Sequence, residues 1–101
     1  MIQEAGRIFS ALGDTSRLKL LRLLMASGKP LSQGTLAESA GLSQANTSKH
    51  LVCLVQTGLV AREREGSLAY FSLVGPLVPN VCGIVKEHVI TRMQSAYQSL
   101  R

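Results

Sequence analysis

The chain has 101 residues, of which 46% are hydrophobic and 17% are charged. This balance argues for one folded domain, because disordered chains are poorer in apolar residues and two independent cores need a longer chain. The net charge of +5 favours a polyanionic partner such as DNA, RNA or an anionic membrane surface. The apolar content is high for a small monomer, which predicts that an oligomer covers part of it.

The ends and the cysteines of the chain predict a cytoplasmic location. No apolar run approaches the length of a membrane-spanning helix, and no charged leader precedes a long apolar stretch at the N-terminus. The two cysteines, Cys53 and Cys82, do not make a dense disulfide framework. We therefore expect a cytoplasmic protein with reduced thiols.

Two helices are predicted in the first part of the chain. From Ile2 to Leu12 the apolar residues keep to one side, and Gly13 ends this helix. The second helix covers residues 15–27, with Asp14 or Thr15 as its N-cap. Its leucines cover more than one face, which is typical of a central helix. Its polar edge is basic and is expected to be solvated. This edge consists of Arg17, Lys19 and Arg22.

Residues 33–57 predict a helix–turn–helix. Ser32 is placed to cap the first helix, and Gly41 follows its last residues, where a residue free to take positive φ can end it. Ser43 then occupies the N-cap position of the second helix. The residues expected to be buried are Leu36, Ala37 and Leu42 before that cap, and Thr47, Leu51 and Leu54 after it.

The opposite side of the second motif helix is rich in hydrogen-bond donors. Its first two turns carry Gln44, Asn46, Ser48 and Lys49. Such a grouping is typical of a recognition helix whose N-terminal end enters the DNA major groove. The alternative is a solvated helical hairpin in an ordinary bundle.

A β-hairpin is predicted directly after this helix, over residues 59–73, with a turn at residues 65–67. Arg62 and Arg64 alternate onto one face, and Glu63 and Glu65 partly offset their charge. Arginines near a hairpin tip can follow a phosphate backbone or enter the minor groove. The alternative is a charged edge that only prevents strand–strand aggregation.

A long last helix is predicted over residues 76–99, with Pro79 either in its first turn or as its first residue. Two adjacent apolar rows make a wide stripe, of which the core can cover only part. These rows are Leu77, Val81 and Ile84, and Val78, Cys82, Val85, Val89 and Met93. The surplus predicts a twofold homodimer formed by the first and last helices, with recognition helices about one DNA turn apart.

Three motifs over residues 8–73 resemble those of the ArsR/SmtB family of winged helix–turn–helix repressors. They are LGDxxRLxxLxxL, LSQxxxSKHLxxL and GLVxxxxEGxxxYFxL. The resemblance implies a mainly α fold with a β-hairpin wing, in the order α1-α2-α3-α4-β-β-α5. It also implies a cytoplasmic homodimer that binds operator DNA and is released by an inducer. By this likeness Gln44, Ala45, Ser48 and Lys49 face base edges and phosphates, and His50 bonds within the domain or to a phosphate.

The sites by which relatives sense metals are missing from this sequence. Residues 31–35 lack the cysteine pair typical of arsenic sensors in the family. Gly75 and Leu77 stand where zinc and nickel sensors place early ligands, and His88 has only Glu87 beside it. A single histidine is a poor zinc site, because Zn²⁺ takes about four ligands. We therefore predict no metal and no cofactor.

The two thiols are alternative sensing groups. Cys53 lies beside the buried stripe and is expected to be a small core residue. Cys82 lies on an apolar row of the last helix, where it is either a buried interface residue or a redox-sensitive thiol made reactive by Lys86 one turn later.

Two other classes of function fit the sequence less well than DNA binding. A winged fold used only as a protein–protein interaction domain would carry a more aromatic surface than the donor-rich face of the second motif helix. An enzyme is not expected, because the sequence holds no nucleophile–base–orienter set and no glycine-rich phosphate loop.

Overall fold

A computed structural model describes residues 1–100, in which five helices accompany one three-stranded antiparallel sheet. The predicted winged helix–turn–helix order is confirmed. The last helix starts one residue later than predicted, with Pro79 inside its first turn. The elements are α1 (Ile2–Leu12), α2 (Thr15–Ser27), β1 (Leu31–Ser32), α3 (Gln33–Ala40), α4 (Gln44–Gln56), β2 (Val60–Glu65), β3 (Leu68–Leu73) and α5 (Leu77–Ser99).

Side-chain caps fix where three of these helices begin. Asp14 caps α2 by accepting from the backbone N–H of Arg17 at 3.1 Å, which decides between the two predicted caps. Ser32 and Ser43 cap α3 and α4 in the same way, each accepting from the backbone N–H three residues on. Gly41 ends α3 at φ +69°, a conformation that suits glycine because it has no Cβ. Local chemistry therefore sets the geometry of the turn between α3 and α4.

The sheet contains one strand that the sequence analysis missed. β1 has only two residues, and it pairs with β3 to give the strand order β1-β3-β2. The hairpin strand β2 starts at Val60, one residue later than predicted, and continues through Glu65 to the turn at Gly66. The hairpin is therefore connected to both motif helices. β2 follows α4 along the chain, and β3 pairs with β1, which directly precedes α3.

The core lies between α2, the two motif helices and the base of the hairpin. The predicted buried stripe of α4 is confirmed, since Thr47, Leu51 and Leu54 are each at most 1% exposed. Within residues 1–100 the Oγ1 of Thr47 is buried with no hydrogen-bond partner. The other largest fully buried side chains are Leu20, Leu21, Leu36, Val60 and Val78.

Apolar side chains remain exposed on α1 and α5. On α1, Ile2 and Phe9 are 86% and 70% exposed. On α5, Val78 is buried, but every described residue from 83 onward is exposed. The prediction that the core covers only part of α5 is thus confirmed. In the part of the chain that the structure describes, no helix has the length and hydropathy needed to cross a bilayer.

Candidate nucleic-acid interface

The N-terminal half of α4 presents a polar face to solvent, which we call the recognition face. Its residues are Gln44, Ala45, Asn46 and Lys49, which are exposed, and Ser48, which is half-buried. The buried stripe of the same helix holds this face outward. These are the positions expected from the sequence, and all of them lie in the first two turns of the helix.

The start of α4 also favours an anion. The first backbone N–H groups of a helix point outward, and the helix dipole places partial positive charge there. Ser43 satisfies one of these groups by accepting from the N–H of Asn46. With Lys49 one turn along, this end of the helix has the electrostatic character of a phosphate-binding surface.

The register of the hairpin separates its charges by face. Residues paired across an antiparallel sheet share a face, and neighbours along a strand alternate. Arg62 pairs with Phe71, which is 2% exposed, and Arg64 pairs with Ala69. The two arginines therefore share the face that packs on the core. We call them the basic wing.

The acidic residues of the hairpin occupy the other face. Glu63 pairs with Tyr70 and Glu65 pairs with Leu68. Within residues 1–100, no salt bridge joins an arginine of the wing to a carboxylate. Glu63 and Glu65 nevertheless line the same groove as Arg64, so they still offset part of its charge.

The two wing arginines lie in different surroundings. Arg62 lines a groove between α4 and the wing together with Ser48 and Val52. Arg64 lines a second groove with Lys29 and Tyr70. The structure thus brings Arg62, but not Arg64, beside the recognition helix. Lys29 is a further cation near the wing, and it is absent from the residues predicted from the sequence because β1 and its pairing were not foreseen.

Arg17 corrects one expectation about the basic edge of α2. It is half-buried, and its Nε and Nη2 donate to the carbonyls of Ala11 at 2.7 Å and Ser10 at 3.0 Å. Both carbonyls lie at the end of α1, where that of Ser10 also accepts from the backbone N–H of Gly13, and a guanidinium can serve them with several donors at once. Arg17 is therefore a structural residue instead of part of a solvated face.

His50 joins this network from α4. Its Nδ1 lies 3.4 Å from the Nη1 of Arg17, where it accepts because a guanidinium only donates. Of the two contacts expected for His50, within the domain or to a phosphate, the structure has the one within the domain. The pKa of Asp14 is held below its ordinary value, chiefly by the backbone N–H of Arg17 and also by the charge of Arg17. The network connects α1, α2 and α4 away from the recognition face.

Comparison with known proteins places this geometry in a family. The model of the IclR helix–turn–helix domain matches residues 18–64, less than half of the chain, and supports the helix–turn–helix. A probable mercury resistance operon repressor from Streptomyces lividans is 37% identical over 75 residues, 74% of this chain and 58% of that protein. An uncharacterized HTH-type transcriptional regulator of Bacillus subtilis, YceK, is 38% identical over 71 residues, 70% of this chain and 71% of that one.

The solved winged helix–turn–helix domain Mb0332 of Mycobacterium bovis is described as a possible ArsR-family regulator. It has a TM-score of 0.80 and 24% identity, and the match covers 93% of this chain and 85% of the other, which shows a shared fold. The chain belongs to the ArsR/SmtB family of winged helix–turn–helix repressors. Like other ArsR/SmtB proteins it is a transcriptional regulator, and its helix–turn–helix indicates DNA as a partner.

Both thiols of this ArsR/SmtB protein are free and half-buried. Cys53 lies at the margin of the core, where it lines a groove between α1 and the end of α4 with Arg7 and Gln56. The expectation of a core residue is therefore only partly met. Cys82 packs against the core beside Val81, at the point where α5 leaves it. Within residues 1–100, no group of three or more His, Cys, Asp and Glu side chains is placed to hold a metal ion.

Proposed function

We propose that the chain is a cytoplasmic, homodimeric repressor that binds operator DNA through the recognition face and the basic wing. The observation that carries this proposal is the arrangement of α4. Its donor-rich residues are turned outward at the N-terminal end, and its apolar residues are buried beneath them. A helix of 13 residues is about 20 Å long, which suits the major groove.

The side chains divide by chemistry into two roles. Gln44, Ala45 and Asn46 stand at the leading end of α4 and contact base edges. Ser48 and Lys49 contact phosphates or base edges from the following turn. Arg62 and Arg64 extend the contact to the backbone or to the minor groove beside it.

The dimer forms through α1 and α5, which leave apolar side chains exposed in a single chain. Ile2 and Phe9 on α1, and Val85, Val89 and Met93 on α5, are between 46% and 86% exposed. Burying such surface against a second copy is favourable by about 25 cal/mol per Å². A twofold axis then offers two recognition helices to successive major grooves.

Release from the operator follows an inducer or a thiol-directed signal. Cys82 packs where α5 leaves the core, and Cys53 lies between α1 and α4. Oxidation at either place would disturb the helices that form the dimer. Operator titrations of reduced protein, repeated with a mild oxidant and with a panel of metal ions, identify the class of signal. Cys82→Ser and Cys53→Ser then show which thiol responds.

The test of DNA binding is an anisotropy titration with DNA from the region upstream of the gene, between 50 and 200 mM salt. The logarithm of affinity is expected to fall linearly with the logarithm of salt, by roughly 0.9 for each phosphate contacted. Affinity that does not change with salt, or that is equal for unrelated DNA, would contradict operator binding.

Two substitutions test the assigned surface. Lys49→Ala and Arg64→Ala are each expected to reduce the salt slope by about two, since each removes one phosphate contact from both chains of the dimer, while the fold is kept. Arg7→Ala is the matched control, because it removes the same charge from α1, beside the end of α4 that lies away from the recognition face. Glu65→Gln, on the opposite face of the hairpin, is expected to leave affinity unchanged or slightly raised. If neither Lys49→Ala nor Arg64→Ala changes operator affinity, the assignment of this surface to DNA binding is wrong.

A further inference from the structure

The first residues of the two motif helices meet at the recognition face. Gln33 begins α3 and Gln44 begins α4, and the Nε2 of Gln33 donates to the Oε1 of Gln44 at 3.4 Å. A Cβ added at Gly34 would lie 3.7 Å from the Nε2 of Gln44. The start of α3 therefore lies against both ends of the Gln44 carboxamide.

Gln33 is itself restrained by its surroundings. Its side chain is half-buried and lines the groove between α4 and the wing, together with Ser48, Arg62 and Phe71. Side chains that are already ordered lose less entropy when DNA binds. Gln33 thus connects the leading residue of the recognition face to the wing side of the motif.

The hydrogen-bonding capacity that remains on Gln44 is sufficient to read a base. A carboxamide has two donors and two acceptor lone pairs, and Gln33 occupies one lone pair. Bidentate recognition of adenine in the major groove needs one acceptor for N6–H and one donor for N7. Gln44 keeps both while the contact with Gln33 limits the rotation of its amide plane.

We propose that Gln33 is a positioning residue for base recognition, which holds the Gln44 carboxamide for bidentate pairing with an adenine in each operator half-site. This inference rests on the proposed function, since it requires α4 to enter the major groove. Gln33 acts through Gln44, so it affects which base pair is preferred and neutralises no phosphate charge.

The test is a double-mutant cycle with Gln33→Ala and Gln44→Ala. Binding is measured on the operator and on variants in which each A·T pair of a half-site is changed to G·C. Gln44→Ala is expected to abolish the preference at one A·T pair per half-site. Gln33→Ala is expected to reduce the preference at that same pair about three- to tenfold, a usual coupling for contacting residues. In the Gln44→Ala background it should have no further effect on that preference.

Three controls make the outcome specific. Gln56→Ala removes the same residue type from the opposite end of α4 and is expected to change no base preference. Gln33→Met keeps the length without the donor, so it should behave like Gln33→Ala. The salt slope should be unchanged in all Gln33 variants, because no ionic contact is lost. Circular dichroism and thermal melting confirm that each variant is folded.

Several results would overturn this inference while leaving the proposed function intact. The first is that Gln33→Ala and Gln44→Ala change the base preference additively, and the second is that Gln33→Met keeps the full A·T preference. The third is that Gln33→Ala changes only the salt slope, and the fourth is that Gln44→Ala keeps every A·T preference. Wild-type protein that fails to bind the operator in a salt-dependent way would instead contradict the proposed function itself.

Discussion

The helix–turn–helix and the last helix of this protein differ in how much of their apolar surface the chain itself covers. In α4 the stripe of Thr47, Leu51 and Leu54 is buried, and only polar or small residues of its first two turns are exposed. In α5 the stripe begins with buried Val78 and continues into Val89, which is 46% exposed. A single chain buries the whole of this α4 stripe, although Val52 beside it is 52% exposed, and it buries only the first turns of the α5 stripe.

This difference separates the two tasks of the molecule. A surface that reads DNA needs side chains held rigidly, and a complete core beneath α4 provides that. A large exposed apolar stripe on a soluble protein marks an interaction surface. The proposed DNA-binding half is thus built by one chain, while the proposed dimer half needs two.

The largest expected effect comes from placing charge on the exposed stripe of α5. Val85→Asp combined with Val89→Asp puts four carboxylates into the proposed twofold interface, where they repel and lose solvation. We expect a monomer in sedimentation, and operator affinity lower by roughly 100-fold or more because one recognition helix then binds alone. Sedimentation and anisotropy on the same samples check both results.

The control for this pair is Glu87→Ala. Glu87 lies between the two valines in sequence, on the opposite side of the helix at 3.6 residues per turn. The Glu87→Ala variant should remain dimeric and bind DNA with the affinity of the wild type. If the variant with both Val85→Asp and Val89→Asp stays dimeric and keeps full operator affinity, the dimer forms through another surface.

Truncating one residue in each half is expected to give different kinds of destabilisation. Leu54→Ala leaves a cavity in a fully buried site and should lower the free energy of unfolding by roughly 2–5 kcal/mol at any protein concentration. Val89→Ala should lower the melting temperature only at concentrations where the dimer forms, since it weakens association. Unfolding of both variants is measured at two protein concentrations. A loss of stability in Val89→Ala that is the same at both concentrations would contradict the assignment of Val89 to the dimer interface.

A smaller effect of opposite sign is expected at Thr47. Its buried hydroxyl lacks a partner within the described residues, and valine keeps the shape without the desolvated group. Thr47→Val should raise the free energy of unfolding by about 1 kcal/mol and leave operator affinity unchanged, because the residue faces the core. Thr91→Val on exposed α5 is the matched control for this exchange in a helix. A destabilised Thr47→Val would mean that the hydroxyl has a partner in solution.

The smallest effect is an acid dependence at the start of α2. Because the folded state lowers the pKa of Asp14, its carboxylate stabilises the fold above the unfolded pKa, and this contribution is lost as the pH falls through the lower, folded pKa. Asp14→Asn should therefore reduce the loss of stability below about pH 4. Urea unfolding between pH 3 and 7 measures it. Identical pH profiles for both proteins would show that the cap does not depend on charge.

Most of the secondary structure was predictable because local chemistry specifies it. Asp14 and Ser43 are N-caps by residue type, and Gly41 suits a left-handed helix end. Periodicity of 3.6 separated the buried stripe of α4 from its recognition face. β1 was missed because a strand of two residues has no period, and it exists only by pairing with β3.

The sequence by itself determined the helix–turn–helix, the outward positions on α4 and the surplus apolar stripe on α5, since each follows from spacing within one helix. Only the tertiary structure showed that Arg17 serves the end of α1, that the arginines of the wing share the face that packs on the core, and that Gln33 meets Gln44. The physical reason is distance along the chain. Contacts between separate elements depend on how those elements pack, and the residue types alone are compatible with many partners.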